Sequence, residues 1–158
     1  MTVGEYKIGR LLLKNIVESI ANLAGEDALT TIIDMASHKT ALELMKLSNV
    51  SLEKVSDVRE AFEKAFSILR RFLKFNIEKI DIHNDGISIS IRGCECIFSV
   101  PELKIMDNVR SMLRARKLCI LVLMACSIVE TLIGQVYTIK DMRCIEGNAD
   151  IVLTSSIF

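Results

Sequence analysis

Histidine is nearly missing from this 158-residue sequence, which carries only His38 and His83. That scarcity removes most routes to general acid–base catalysis, in which imidazole takes part more often than any other side chain. His83 abuts a turn, where solvent contact is the expected state, and His38 falls at the junction of two helical segments. The sequence has no Gly-x-Ser-x-Gly, no phosphate loop, no His-Glu-x-x-His and no dinucleotide fingerprint. A nicotinamide-using reductase would need a site for its hydride donor, and none is visible. These absences predict a chain that is not a self-sufficient enzyme.

Net charge is missing as well, since Lys plus Arg total 20 and Asp plus Glu total 20. No long-range field would draw nucleic acid, an anionic membrane or an acidic partner. Two local basic runs, Arg110, Arg114, Arg116 and Lys117, and Lys64, Arg70, Arg71 and Lys74, read as solvated helix faces. Nor does any apolar run reach the roughly 20 residues needed to span a bilayer. The longest, 118–126, extends only to Val129 if Ser127 is allowed and reads as a buried core helix. The start lacks a basic segment followed by a continuous apolar one, so export is not expected. Five cysteines, an odd number, fit thiols in a reducing, cytoplasmic compartment better than a disulfide framework.

What is present is enough apolar material for one core, 51% of residues, with no repeat or low-complexity linker to divide it. A single domain over 1–158 is expected. Leu12, Ile16, Ile20 and Leu23 recur at helical spacing before a stop at Gly25, and a second helix capped by Asp27 would bury Ala28, Ile32 and Met35. Thr40 and Glu43 have the spacing of a capping box, predicting a restart through Leu44 and Leu47. Ser51 or Ser56 would cap a longer helix carrying Val58, Phe62, Phe66, Leu69 and Leu73 as a core stripe. From Phe75 the period becomes two. Ile80 and Ile82 lead to Asn84-Asp85-Gly86, and Ile87, Ile89 and Ile91 alternate after it, which predicts a hairpin whose glycine supplies a positive φ. Gly93 interrupts like a bulge, and 94–100 would form a third strand ended by Pro101. A helix over 109–133 stopped by Gly134 and a second hairpin over 136–157 complete the order. Helices, strands, helix, strands favour an α+β fold, an antiparallel sheet with helices packed against it.

Chemistry-bearing residues are mostly cysteines. Cys94 and Cys96 are two apart on a strand and share a face, where two thiolates could hold a metal. Structural zinc takes four ligands, so the commoner reading of both is a small buried hydrophobe. Cys119 and Cys126 lie seven apart on one helix face and carry the same two readings. Glu130, inside the apolar helix, could face a cavity and acquire a raised pKa, although a polar helix face is the more ordinary reading.

The block Leu123-Met124-Ala125-Cys126-Ser127-Ile128-Val129-Glu130-Thr131-Leu132-Ile133-Gly134, followed by Arg143-Cys144-Ile145-Glu146-Gly147-Asn148-Ala149-Asp150, resembles the C-terminal half of the vinyl-4-reductase family. Ile91-Arg92-Gly93-Cys94-Glu95-Cys96-Ile97-Phe98 is similar to the cysteine-bearing strand that precedes it there. The resemblance implies a fold like that of TRAPP vesicle-transport subunits, often homodimeric, with an apolar cavity between sheet and helices. It implies a small hydrophobic ligand, such as an aromatic hydrocarbon, or a part in reducing a tetrapyrrole vinyl group. Cys94, Cys96, Phe98, Cys126 and Glu130 would then be ligand-binding. Some members of that family bind zinc through cysteines; Cys144 matches one of those positions, Cys119 lies close to a second, and Val152 stands at the third. The sequence thus predicts a non-catalytic, sensor-like binding domain, with a zinc-binding or dimerising module as the alternative.

Overall fold

A computed structural model describes residues 3–50, 55–94, 111 and 114–156, with side chains from Asn15 onward. Three helices and four strands are described: α1 (Val3–Ser48), α2 (Val58–Leu69), β1 (Asn76–His83), β2 (Gly86–Arg92), α3 (Ile120–Ile133), β3 (Val136–Ile145) and β4 (Asn148–Ser156). The strands form one antiparallel sheet in the order β1-β2-β4-β3. The α+β class and both hairpins are therefore as expected.

Register follows from the alternation. Ile87, Ile89 and Ile91 of β2 pair with Leu153, Ile151 and Ala149 of β4, and all six are buried. A strand's side chains alternate between faces, so one face of the central pair is a continuous apolar floor. The other face is polar. There Arg92 reaches Glu78 at 2.9 Å and Asp150 at 3.0 Å, tying three strands together. The Arg92 guanidinium and a hydrogen bond with Ser90 hold the Asp150 carboxyl below its usual range, the Ser90 bond being the larger effect.

α3 is the centre of the molecule. Nine of its fourteen residues are buried, because it packs on α1 and α2 and also reaches β3. A helix enclosed on most sides needs apolar residues all round, which is what the run 121–129 supplies. Gly134 closes it in the left-handed region (φ 73°), donating its N–H to the Glu130 carbonyl at 2.8 Å. α2 shows the expected stripe, with Phe62, Phe66 and Leu69 buried, but Asp57 is the cap: its carboxylate accepts from the Arg59 N–H at 2.7 Å. Ser56 is not the cap, Ser51 lies outside the described residues, and Leu73 follows the helix end.

Four expectations need correction. α1 runs on to Ser48 without a restart at Thr40; the preceding turns already supply the backbone acceptors there, so no cap is required. The break expected at Gly25 is present as a kink (φ 82°, ψ 174°) that separates residues 3–24 from 26–48, but the faces that meet the core differ from those expected. Val17, Leu29 and Ile33 are buried and Ile20 packs on them, whereas Ile16, Leu23, Ile32 and Met35 are exposed; the second stripe was thus misread by one helical position, and the first meets the core at Ile20 but not at Ile16 or Leu23. The helix expected over 109–133 is interrupted before α3: Lys117 takes φ 55° and the chain re-enters helix only at Ile120. Finally, none of Asn84, Asp85 and Gly86 has positive φ, so the first hairpin forms for a reason other than a left-handed glycine. The third strand expected over 94–100 lies outside the described residues after Cys94.

Candidate functional site: the seam between α3 and β3

α3 and β3 are joined by Gln135 between the Gly134 stop and Val136, so the helix folds back along the strand. Two contacts fix their alignment. Near the β3 start, the Cys126 thiol lies close enough to the Tyr137 hydroxyl to add to the rise that burial gives it. Further along, the Lys117 ammonium, just before α3, donates to the Lys140 carbonyl. Between these points Cys126 lies within α3, and Cys119 is its N-cap, in an extended conformation (φ −116°, ψ 105°).

The two halves of this seam differ in filling. At the Cys126 end everything is closed: Cys126 and Tyr137 are buried, and the Tyr137 hydroxyl donates to the Gln135 side-chain oxygen at 2.7 Å. The Tyr137 ring meets Phe62 edge-on at 5.4 Å, Phe62 lies 6.2 Å from Phe66, and Phe66 meets Phe75 at 5.9 Å. Edge-to-face rings attract through their quadrupoles beyond simple burial. At the other end, Cys119 and Ile120 of the α3 start and Ile139, Met142 and Cys144 of β3 pack on the core yet remain half-exposed. The seam therefore has a closed aromatic end and a half-exposed end that carries Cys119, Met142 and Cys144.

Burial, with a smaller effect from Cys119, pushes the Cys126 thiol up to about 12. Burial likewise raises the Tyr137 hydroxyl, with Cys126 adding to it. Both stay neutral at physiological pH, and a neutral thiol is a soft, weakly polar wall rather than a nucleophile. The sign of the linkage follows. Below about pH 9, the ordinary thiol value, folded and unfolded chains both keep this proton, and it adds no slope. Between about 9 and 12 only the folded chain keeps it, so stability falls as pH rises, by about 1.4 kcal/mol per unit. Urea unfolding of the wild type and Cys126→Ala across pH 8–11 should show the steeper decline in the wild type; equal slopes would remove Cys126 from this role.

The other expected residues are distributed as follows. Cys144 pairs with Ala149 near the far end of β3. Cys94 joins the same end of the sheet, its N–H donating to the Gly147 carbonyl at 2.9 Å. Seven residues of strand, about 23 Å, separate Tyr137 from Cys144, so Cys126 and Cys144 lie toward opposite ends. Glu130 is exposed on α3. Cys96 and Phe98 lie outside the described residues. Among the described residues no three of His, Cys, Asp and Glu converge in a metal-holding group, Cys119 and Cys144 included. No described helix is long and apolar enough to cross a membrane. A surface groove of about 320 Å³ between α2 and β1 is lined by Arg59, Glu63, Arg70 and Lys79 together with Phe66, Ile77 and Ile80. Tyr137 was missed by sequence reasoning, its only signal being the alternation it shares with Ile139.

A solved structure with the same arrangement is the phenol-responsive sensory domain of the transcription activator PoxR, determined with phenol. Its TM-score is 0.55, over 92% of this chain and 74% of that one, at 9% sequence identity. The likeness is one of fold. No family model matches the chain, and no curated protein matches it.

Proposed function

We propose that this chain is a non-catalytic small-molecule-binding domain of the sensor kind, which takes an apolar, aromatic ligand in the seam between α3 and β3. The observation that carries the reading is the seam itself: half-buried Cys119, Ile120, Ile139, Met142 and Cys144 leading inward to Cys126, Tyr137 and Phe62. Pockets that hold small ligands are mostly apolar with a few placed polar groups, and the Tyr137–Gln135 pair is such a group. The fold shared with a phenol-responsive sensory domain and the resemblance of 87–158 to the vinyl-4-reductase family support the same ligand class. With it go a single domain over 1–158, a reducing cytoplasmic setting and a homodimeric state, each as part of the proposal.

A ligand that binds only the folded chain raises its stability by RT ln(1 + [L]/Kd), about 2.7 kcal/mol at a hundredfold excess over Kd. Phenol, toluene and naphthalene titrated into the purified chain should therefore raise Tm, and Met142→Lys, which puts a charge in the seam, should abolish the rise. Unchanged melting with all three compounds, together with no small molecule released on denaturation in native mass spectrometry, would overturn the proposal.

A further inference from the structure

Gly25 sits at φ 82°, ψ 174°, a region that only glycine populates readily. A Cβ there would meet nothing within 4 Å, so the glycine answers to conformation, not to crowding: the sequence maintains an elbow where an uninterrupted helix would otherwise run. The elbow is packed from inside by a small second core. Val17 before it and Leu29 and Ile33 after it are buried together, with Leu118, Ile120 and Leu123 packed on them. Asp27, two residues past the elbow, pairs with Arg116 at 2.6 Å. The next residue, Lys117, is the one that donates to Lys140 on β3. Ile120 packs on both cores at once, so one side chain is shared by the seam and the elbow.

We propose that the Gly25 elbow is the output hinge of the seam: the position of residues 116–120, set at the seam, fixes the angle between residues 3–24 and 26–48. The functional part of this inference rests on the seam being the ligand site; the mechanical part does not. A ligand placed against Ile120 and Cys119 shifts the start of α3 outward. Leu118 and Arg116 follow; Leu118 packs on the cluster that Val17 of the first arm shares with Leu29 and Ile33 of the second, and Arg116 holds Asp27 of the second. The elbow has few alternatives because glycine at ψ 174° is one discrete state and a straight helix is another. A coupling of this kind is reciprocal, since a change of elbow must alter the seam by the same free energy.

The test has two arms. In the first, with no ligand, the rate at which iodoacetamide modifies Cys126 is followed by peptide mass spectrometry. Gly25→Ala, which favours the straight helix, and Asp27→Asn, which removes the pairing with Arg116, should each change that rate by about fivefold or more. In the second, hydrogen exchange of residues 3–24 is compared with and without phenol, with occupancy measured independently by calorimetry. Bound phenol should change exchange there several-fold in the wild type and much less in Asp27→Asn, while binding persists. Phenol bound without any change in residues 3–24 overturns the hinge and leaves the binding proposal intact. Failure of phenol to bind counts against the ligand reading, and the first arm then decides the hinge: unchanged Cys126 reactivity in both variants ends it.

Discussion

Phe62→Ala should lower the stability of this protein by about 3–5 kcal/mol in urea unfolding, the range for deleting a buried ring. Phe62 has no exposed surface and lies between Phe66 and the edge of Tyr137. α2, which carries it, packs on α3, so the truncation removes the ring that closes the inner end of the seam. The neighbours are Ala61, Ala65 and other fully buried groups, too small or too fixed to fill the space. The cavity left behind is apolar and would stay dry; cavities of this kind take up benzene. Benzene should therefore restore part of the lost stability in the variant while doing far less in the wild type. A loss under about 1 kcal/mol, with no benzene effect, would mean that the aromatic row is not packed as described.

The strands were legible because their information is local. Ile87, Ile89 and Ile91 alternate with polar residues, and one face of a sheet is all that the period-two pattern has to encode. The two-residue loop at Glu146 and Gly147 has positive φ at both positions, 47° and 80°, the conformation that suits a tight hairpin. Helix faces were less legible. The stripe Ala28, Ile32 and Met35 is as regular as Leu29, Ile33, Ser37 and Ala41, and which of them turns inward depends on how the chain leaves Gly25, a tertiary matter. The break at Lys117 carries no glycine or proline. It is held by Arg116 on Asp27, eighty-nine residues away, and such a pair leaves no mark in a local window.

Legibility of the site was uneven for a related reason. The spacing of Cys119 and Cys126 predicted one face of a continuous helix, but only Cys126 lies within α3, and Cys119 is its extended N-cap. What spacing does not provide is the element they face. Tyr137 and Met142 enter the seam only because α3 folds back at Gly134 and lies along β3. Glu130, four residues after Cys126 and on nearly the same side of the helix, is nonetheless exposed near the α3 end. Of the described thiols, Cys94, Cys119 and Cys144 lie toward the half-exposed end and Cys126 toward the closed one, whose Cys126 and Tyr137 are neutral at physiological pH.

Gly86→Ala is the second large effect expected, about 2–4 kcal/mol. Gly86 opens β2 and pairs with His83, and it lacks positive φ. A Cβ at this position would fall on the carbonyl oxygen of Leu153, which is backbone of β4 and cannot rotate aside. Relief requires β4 to move away from β2 at the pair Ile87 and Leu153, two side chains of the buried floor. The comparison with Gly86→Asn separates close approach from turn conformation. Asparagine tolerates the left-handed region, so a glycine kept for its φ would be replaced by it at modest cost. A glycine kept for lack of a Cβ would not, and Gly86→Asn should be at least as damaging as Gly86→Ala. Asn84→Ala and Asp85→Ala, whose side chains are exposed at the hairpin tip, should change stability by no more than about 0.5 kcal/mol. Near-native stability of Gly86→Asn, measured by the same urea titration, would return the glycine to the turn and loosen the assigned contact between β2 and β4.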